Sequence, residues 1–364
     1  MAKQVTGHKS ILKKRGIINI ALAVFIFALM LFADHPAAVE RYYSRGIYPL
    51  VCHIFHPVFN LFPFSVGDIV YMAVVVFLVY AFVRLLRMLI RRQWKLAGIF
   101  VLGVMIAFQA AIIAFYLFWG MNYYRPSAAE RLNLEDTTYT PAELQSVTAM
   151  MIDSANACRQ RVTQTDMARS NNTIYQTAIG AVKQLGDSSS SFKVYSPEIK
   201  SSLLTPLLNY LGTSGYYNPF TSESQMNYQM PVFVRPFVAC HELSHQMGYG
   251  PEDEANFVGF LAGTRSKDNF FRYSAYYVGV QEFMFALKMQ DSIARKEMRK
   301  RISPAVLNDF KTEREYWLSY EGKIEKISSI FYDNFLKVNN QPQGLKTYNR
   351  MVLLVLAYRK KHKL

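Results

Sequence analysis

Residues 96–119 run for 24 positions without a charge, and Gln109 is the strongest polar interruption. As a helix this stretch would be about 36 Å long, more than the roughly 30 Å hydrocarbon core of a bilayer. Two earlier runs share the property. Residues 17–33 contain Asn19 as their one strongly polar side chain, and the run from Ile69 stays apolar to Val83 and continues through Ile90 with Arg84 and Arg87 near its end, whose long stems can carry the charges to an interface. These runs predict a membrane region over residues 1–120 with three transmembrane helices at about 17–33, 68–90 and 96–119. A separate domain is expected over residues 121–364, where no run reaches membrane length.

The distribution of charge fixes an orientation. The chain carries a net charge of +15, with 12 Lys/Arg against 3 Asp/Glu in residues 1–96 and 29 against 23 in the rest. The excess sits beside apolar runs, which is the pattern of the positive-inside rule and not of a nucleic-acid-binding face. Lys3, Lys9, Lys13, Lys14 and Arg15 precede the first run, and Arg91, Arg92 and Lys95 join the second to the third. Both flanks are expected in the cytoplasm. The 34–68 connection and everything after Trp119 are then extracytoplasmic, in a multi-pass inner-membrane protein. The 17-residue apolar core of the first run is longer than a signal-peptide core of about 7–15, so an uncleaved anchor is expected. Trp119, Tyr123 and Tyr124 suit an aromatic belt at the headgroups.

The C-terminal two thirds read as a folded domain that is mainly α with a small β component. Thr140-Pro141 with Glu143 marks a helix start within 137–158, and residues 304–339 carry a mostly helical pattern. Residues 186–191 (GDSSSS) read as a loop, 192–195 (FKVY) as a short strand, and 216–228 as strands or an extended segment. Met351 to Tyr358 is apolar but too short to span, so it is expected to pack on the core. The basic run Arg295 to Arg301 is most simply a solvated face, with anionic lipid as the alternative contact. Cys52, Cys158 and Cys240 lie far apart and have no CxxC spacing. A Cys-rich metal site is therefore excluded, and a Cys158–Cys240 disulfide is permitted but not required.

Within Pro236 to Gly263, PFVACHELSHQMGYGPEDEANFVGFLAG, His241, Glu242 and His245 form H-E-x-x-H. On a helix the i, i+4 spacing puts both imidazoles on one face, where they can grip one metal beside Glu242, the general base. Pro236 suits the first helical turn and Gly248 the end of the helix. The competing view is an ordinary amphipathic helix with two surface histidines. A catalytic zinc needs a third protein ligand, and Glu252 is the first candidate, because Pro251 can open a second helix on which Glu252 and Asn256 share a face. Asn256 would then orient a ligand. Glu254 is the alternative third ligand if that helix starts later.

The E-D-E-A-N-F stretch behind a short H-E-x-x-H helix resembles the glutamate-zincin pattern E-x-x-A-[DN] of HtpX-type membrane proteases and ImmA/IrrE-type peptidases. That resemblance implies Glu252 as the third zinc ligand and Asn256 at the Asp/Asn position. A wider likeness joins YNPFT at 217–221, Pro236-Phe237, Cys240 through Gly248, Glu252 through Phe257 and Thr347-Tyr348. It is similar to a family of bacterial membrane proteins with three N-terminal spans and an H-E-L-x-H-Q-x-G segment, and it implies a zincin-like fold. Six residues separate His245 from Glu252, so Gly248-Tyr249-Gly250 must reverse the chain sharply. Pro251 stands where a metzincin has its third histidine, which excludes that class.

Together these features imply a membrane-anchored zinc metallopeptidase acting on a peptide or protein substrate, with Zn2+ as cofactor and the lipid bilayer as partner. The alternative is a non-catalytic zinc-binding sensor or regulatory membrane protein. An intramembrane protease is excluded, because Glu223, Arg235 and Glu252 flank the motif outside any apolar span. Tyr217, Tyr228 and Tyr348 are candidate donors to an oxyanion, and Thr221 to Met230 is expected to supply either an edge strand for substrate or an internal strand.

Overall fold

A computed structural model describes residues 2–134, 138–341 and 350–362. Three helices are long and apolar enough to cross a membrane: His8–Ala33 within α1 (Ala2–Ala33), α4 (Val66–Ile90) and α5 (Trp94–Phe118). Most of their side chains stay exposed, as expected of helices whose solvent is lipid. At one end, Arg15 of α1 donates to the Ile99 carbonyl of α5, and Arg91 and Arg92 of the α4–α5 turn and Lys95 in the first turn of α5 lie in the same part of the molecule. The opposite ends of all three helices meet the rest of the protein.

The 34–68 connection is itself helical. A short helix α2 (Pro36–Ala38) runs into a π-helical segment (Val39–Ile47) and then α3 (Tyr48–Phe59). Val39, Tyr43, Tyr48 and Cys52 from this stretch form a small core with Trp119, Met121 and Tyr123. The N-terminus of α4 is bolted to the C-terminal domain. Glu223 accepts from the Val66 and Gly67 amides at 3.2 and 2.6 Å and pairs with buried Lys200 at 2.7 Å. A carboxylate at a helix N-terminus satisfies orphan amides and complements the helix dipole. A Cβ at Gly67 would lie 2.5 Å from the Asn218 amide nitrogen, so only glycine allows this approach.

The larger core is built from helices around a three-stranded sheet. After α6 (Ala128–Arg131), helix α7 (Pro141–Gln160) starts at a complete capping box formed by Thr140 and Glu143. Thr137, at the proposed start of that segment, lies outside the described residues. A short α8 (Gln164–Met167) leads to α9 (Asn171–Ser188), β1 (Ile199–Ser201), α10 (Thr205–Leu211), β2 (Gly215–Asn218) and β3 (Glu223–Met226). The sheet order is β1-β3-β2, with β1 parallel and β2 antiparallel to β3. The strand expected within 221–230 is thus the internal one, and β2 is an edge.

Then follow α11 (Arg235–Gln246), α12 (Glu252–Arg265), α13 (Asn269–Gln290), α14 (Ser292–Lys300), α15 (Pro304–Leu318), α16 (Lys323–Val338) and α17 (Arg350–Lys361). Helix α11 is the centre of the domain: α12, α9, α13 and all three strands pack against it. The apolar 351–358 stretch lies in α17 and buries Met351, Val352 and Val355 in the same core.

Two local expectations fail. FKVY is not a strand: residues 190–192 form a 3-10 turn, and Phe192 is buried against Tyr249 at a ring separation of 6.3 Å. The segment joins neither open edge of the sheet, β1 or β2, and its alternation forms no ladder. The 186–191 stretch is partly helical, since α9 continues through Ser188. All three cysteines are buried free thiols, so the permitted Cys158–Cys240 disulfide is not formed.

Candidate metal centre

Helix α11 carries the motif and is buried along its whole length from Pro236 onward. Surface histidines on an amphipathic helix are thereby excluded. Its start has no side-chain cap, but Ser274 of α13 accepts from the Phe237 amide at 3.0 Å, which satisfies one orphan donor. Its end is set by Gly248, whose φ of 81° is the left-handed conformation that glycine adopts without strain. Gly250 serves differently: a Cβ there would come within 3.0 Å of the Tyr123 backbone.

The turn between α11 and α12 is braced by two arginines. Arg125 donates to the Gly248 carbonyl at 2.9 Å and pairs with Glu40 at 2.6 Å. Arg131 lies over the Tyr249 ring at 4.3 Å and pairs with Glu254 at 2.6 Å, both groups almost fully buried. Glu254 also accepts from the Ala128 amide. It therefore faces away from the histidines, as its position on the helix requires.

Glu252 is the first residue of α12 and points the other way. Its Oε2 lies 3.2 Å from His241 Nε2, and its Oε1 lies 3.7 Å from His245 Nε2. The three side chains each present a ligand atom within 4.8 Å of the others. Close packing of the two helices makes this possible: a Cβ at Gly259 of α12 would sit 2.9 Å from the His241 backbone nitrogen. The imidazole of His245 is oriented through its other nitrogen, since Nδ1 lies 2.7 Å from the Tyr249 carbonyl and can donate to it. Trp119 and Tyr48 donate to carbonyls at the end of the same helix, Trp119 to His245 at 3.0 Å and Tyr48 to Gln246 at 2.9 Å.

The electrostatics separate the groups. Burial raises the Glu242 pKa to about 8, and the Glu252 charge adds to that rise. Burial also disfavours the charged form of Glu252, but His245, His241 and the Tyr332 hydroxyl outweigh it and hold Glu252 at about 2. Burial keeps His245 neutral, lowering it to about 4. His241 is raised despite burial, chiefly by its hydrogen bond to Glu252, with Asn256 contributing.

The arrangement fits a divalent metal. Two imidazole nitrogens and a carboxylate oxygen form a donor set that zinc accepts. Glu242 Oε2 and His241 Nδ1 are buried polar atoms without a protein hydrogen-bond partner. All four side chains border a cavity of about 780 Å3, together with β2, α10 and the apolar residues Phe237 and Val238. Gly215 of β2 leaves room for Glu242, whose Oε1 lies 2.6 Å from where a Cβ would stand.

Tyr332 on α16 was not singled out in the sequence, yet its hydroxyl donates to Glu252 Oε1 at 2.6 Å. Tyr217 lies on the cavity wall, Tyr228 does not, and Tyr348 and Thr347 lie outside the described residues. Trp119 and Tyr123 depart from a headgroup belt: both are buried, and Trp119 packs edge-on against His245. The chain matches no curated protein and no solved structure. The family described as "Protein of unknown function (DUF3810)" matches residues 43–356, a stretch that holds two of the apolar helices and the whole His241–His245–Glu252 cluster, and the chain belongs to that family.

Proposed function

We propose that this protein is a membrane-anchored zinc metallopeptidase whose catalytic domain lies outside the cytoplasmic membrane. One observation carries the reading: His241, His245 and Glu252 converge on one point, with the Glu242 carboxyl beside them in a cavity. The orientation draws support from the basic residues of α1 and of the α4–α5 turn, which lie at the ends of the spans remote from the domain.

His241, His245 and Glu252 would hold the metal, with Asn256 steadying His241. A zinc ion held by them would supply Lewis acidity, acidifying water and polarising a scissile carbonyl. Glu242 has the position and the raised pKa of a proton carrier near neutral pH. As carboxylate it takes a proton from water in the cavity, and as carboxylic acid it returns that proton to the departing amine. Strand β2 borders the cavity and is an edge, so extended peptide can add to it as a further strand. Tyr217 on the cavity wall offers a phenol donor to developing negative charge. The Tyr217 hydroxyl is held protonated by burial, so it can donate throughout the working pH range.

The deciding experiment replaces Glu242 by Gln in the full chain and measures metal content beside hydrolysis of a quenched fluorescent peptide library. A peptidase keeps its metal and loses turnover. If wild type and variant both bind zinc and neither hydrolyses any peptide, the sensor reading takes its place.

A further inference from the structure

Helix α16 covers one side of the cavity and presents two faces with different partners. Glu325, Ser328, Ser329, Tyr332 and Phe335 line the cavity. A separate stripe, Ile324, Ile327, Ile330, Phe331 and Val338, points outward and is 54–74% exposed. Lys323, Lys326 and Lys337 are exposed on the same helix, Lys337 paired with Asp333 at 2.5 Å. An apolar stripe with lysines beside it on one helix is the composition of a segment that rests in a membrane interface.

The position of α16 says which surface covers the stripe. Phe335 packs edge-on against Phe115 of α5 at 6.1 Å, and Tyr124, just beyond the end of α5, donates to the Val338 carbonyl at 3.5 Å. These contacts hold the C-terminal end of α16, and with it exposed Val338 of the stripe, beside the end of α5 where the spans meet the domain. α10 packs against α16, and Leu207 and Tyr210 on it, with Leu203 just before it, are each 49% exposed. A patch held beside the end of a membrane span has the bilayer as its nearest apolar phase.

We infer that α16 docks by this stripe into the lipid leaflet at the domain end of the spans, with its lysines at the phosphate level. The inference concerns a lipid contact and stands whether or not the cavity hydrolyses peptides. Because Tyr332 bonds Glu252 from the same helix, the docked helix also links the bilayer surface to the candidate metal centre.

The test places a nitroxide on the full chain at Phe331→Cys and, separately, at Lys326→Cys. Each is reconstituted in nanodiscs of equal parts phosphatidylcholine and phosphatidylglycerol. Native Cys52, Cys158 and Cys240 are buried, and the unsubstituted chain measures any background labelling. Both target residues are exposed, so neither substitution opens the core. At position 331 collision with molecular oxygen should exceed collision with a water-soluble nickel chelate, and at 326 the order should reverse. A third label at Ile327→Cys should follow position 331. Nickel access dominating at 331 and 327 would overturn the inference, and so would spin–spin broadening that places a second copy of the chain on the stripe.

Discussion

Tyr332 donates its hydroxyl to Glu252 Oε1 at 2.6 Å, joining two helices that are 80 residues apart in sequence. The bond touches one oxygen of the proposed third metal ligand, while the other oxygen faces His241. Replacing Tyr332 by Phe removes the donor and leaves both Glu252 oxygens to the histidines. Because the phenol's one proton goes to a proposed ligand, zinc affinity should fall by about 10–100-fold, the usual cost of losing a ligand's hydrogen-bond partner. A chelator competition titration checks this, and an unchanged zinc affinity would show that the bond does not support the ligand.

Arg131 and Glu254 form an ion pair with almost no solvent contact. Removing one partner strands the other charge, at a cost of about 3–5 kcal/mol. Arg131→Met should therefore lower the unfolding temperature strongly in detergent, while the folded fraction keeps its zinc. Thermal denaturation followed by circular dichroism, with metal analysis of the soluble fraction, separates this bracing role from ligation.

Gly259 lets α12 approach the His241 backbone, and an added methyl would meet it at 2.9 Å. Gly259→Ala forces the helices apart or strains them, an overpacking cost of about 1–3 kcal/mol. Because Glu252 rides on α12, zinc affinity should drop together with stability. A chelator competition titration that gives an unchanged zinc affinity would show that the helix spacing does not set the site.

Burial works against the charged form of Glu40, but Arg125 and Arg45 outweigh it and hold its pKa at about 2, below the ordinary 4.5. A carboxylate with a lowered folded-state pKa stabilises the fold above its unfolded value, and that stability is lost as pH falls toward the folded value. Unfolding temperature should thus decline between about pH 4.5 and 2 in the wild type. In Glu40→Gln it should start lower at neutral pH and decline less over that window. Identical profiles would remove Glu40 from the brace on the Gly248 turn.

Elements whose signal is local could be read from the chain. The apolar runs gave α4 and α5 within a few residues, the H-E-x-x-H spacing gave α11, and the Glu252–Asn256 pairing on one helical face gave the converging carboxylate. Residues whose role depends on long-range packing could not be read. Tyr332 is one of 24 tyrosines, and nothing near it marks it as the partner of Glu252. Trp119 at the end of a span suited a lipid interface equally well, and only the fold places its indole N–H on the His245 carbonyl. FKVY alternates like a strand, but tertiary packing overrides that pattern and buries Phe192 against Tyr249 instead.

Whether His241, His245 and Glu252 bind a metal is decided by zinc stoichiometry in the purified full chain, measured for wild type, His245→Ala, Glu252→Ala and Glu254→Gln. One zinc per chain is expected in wild type and Glu254→Gln, with loss in His245→Ala and Glu252→Ala. Zinc retained in Glu252→Ala, or absent from folded wild type supplied with the metal, would contradict this ligand set.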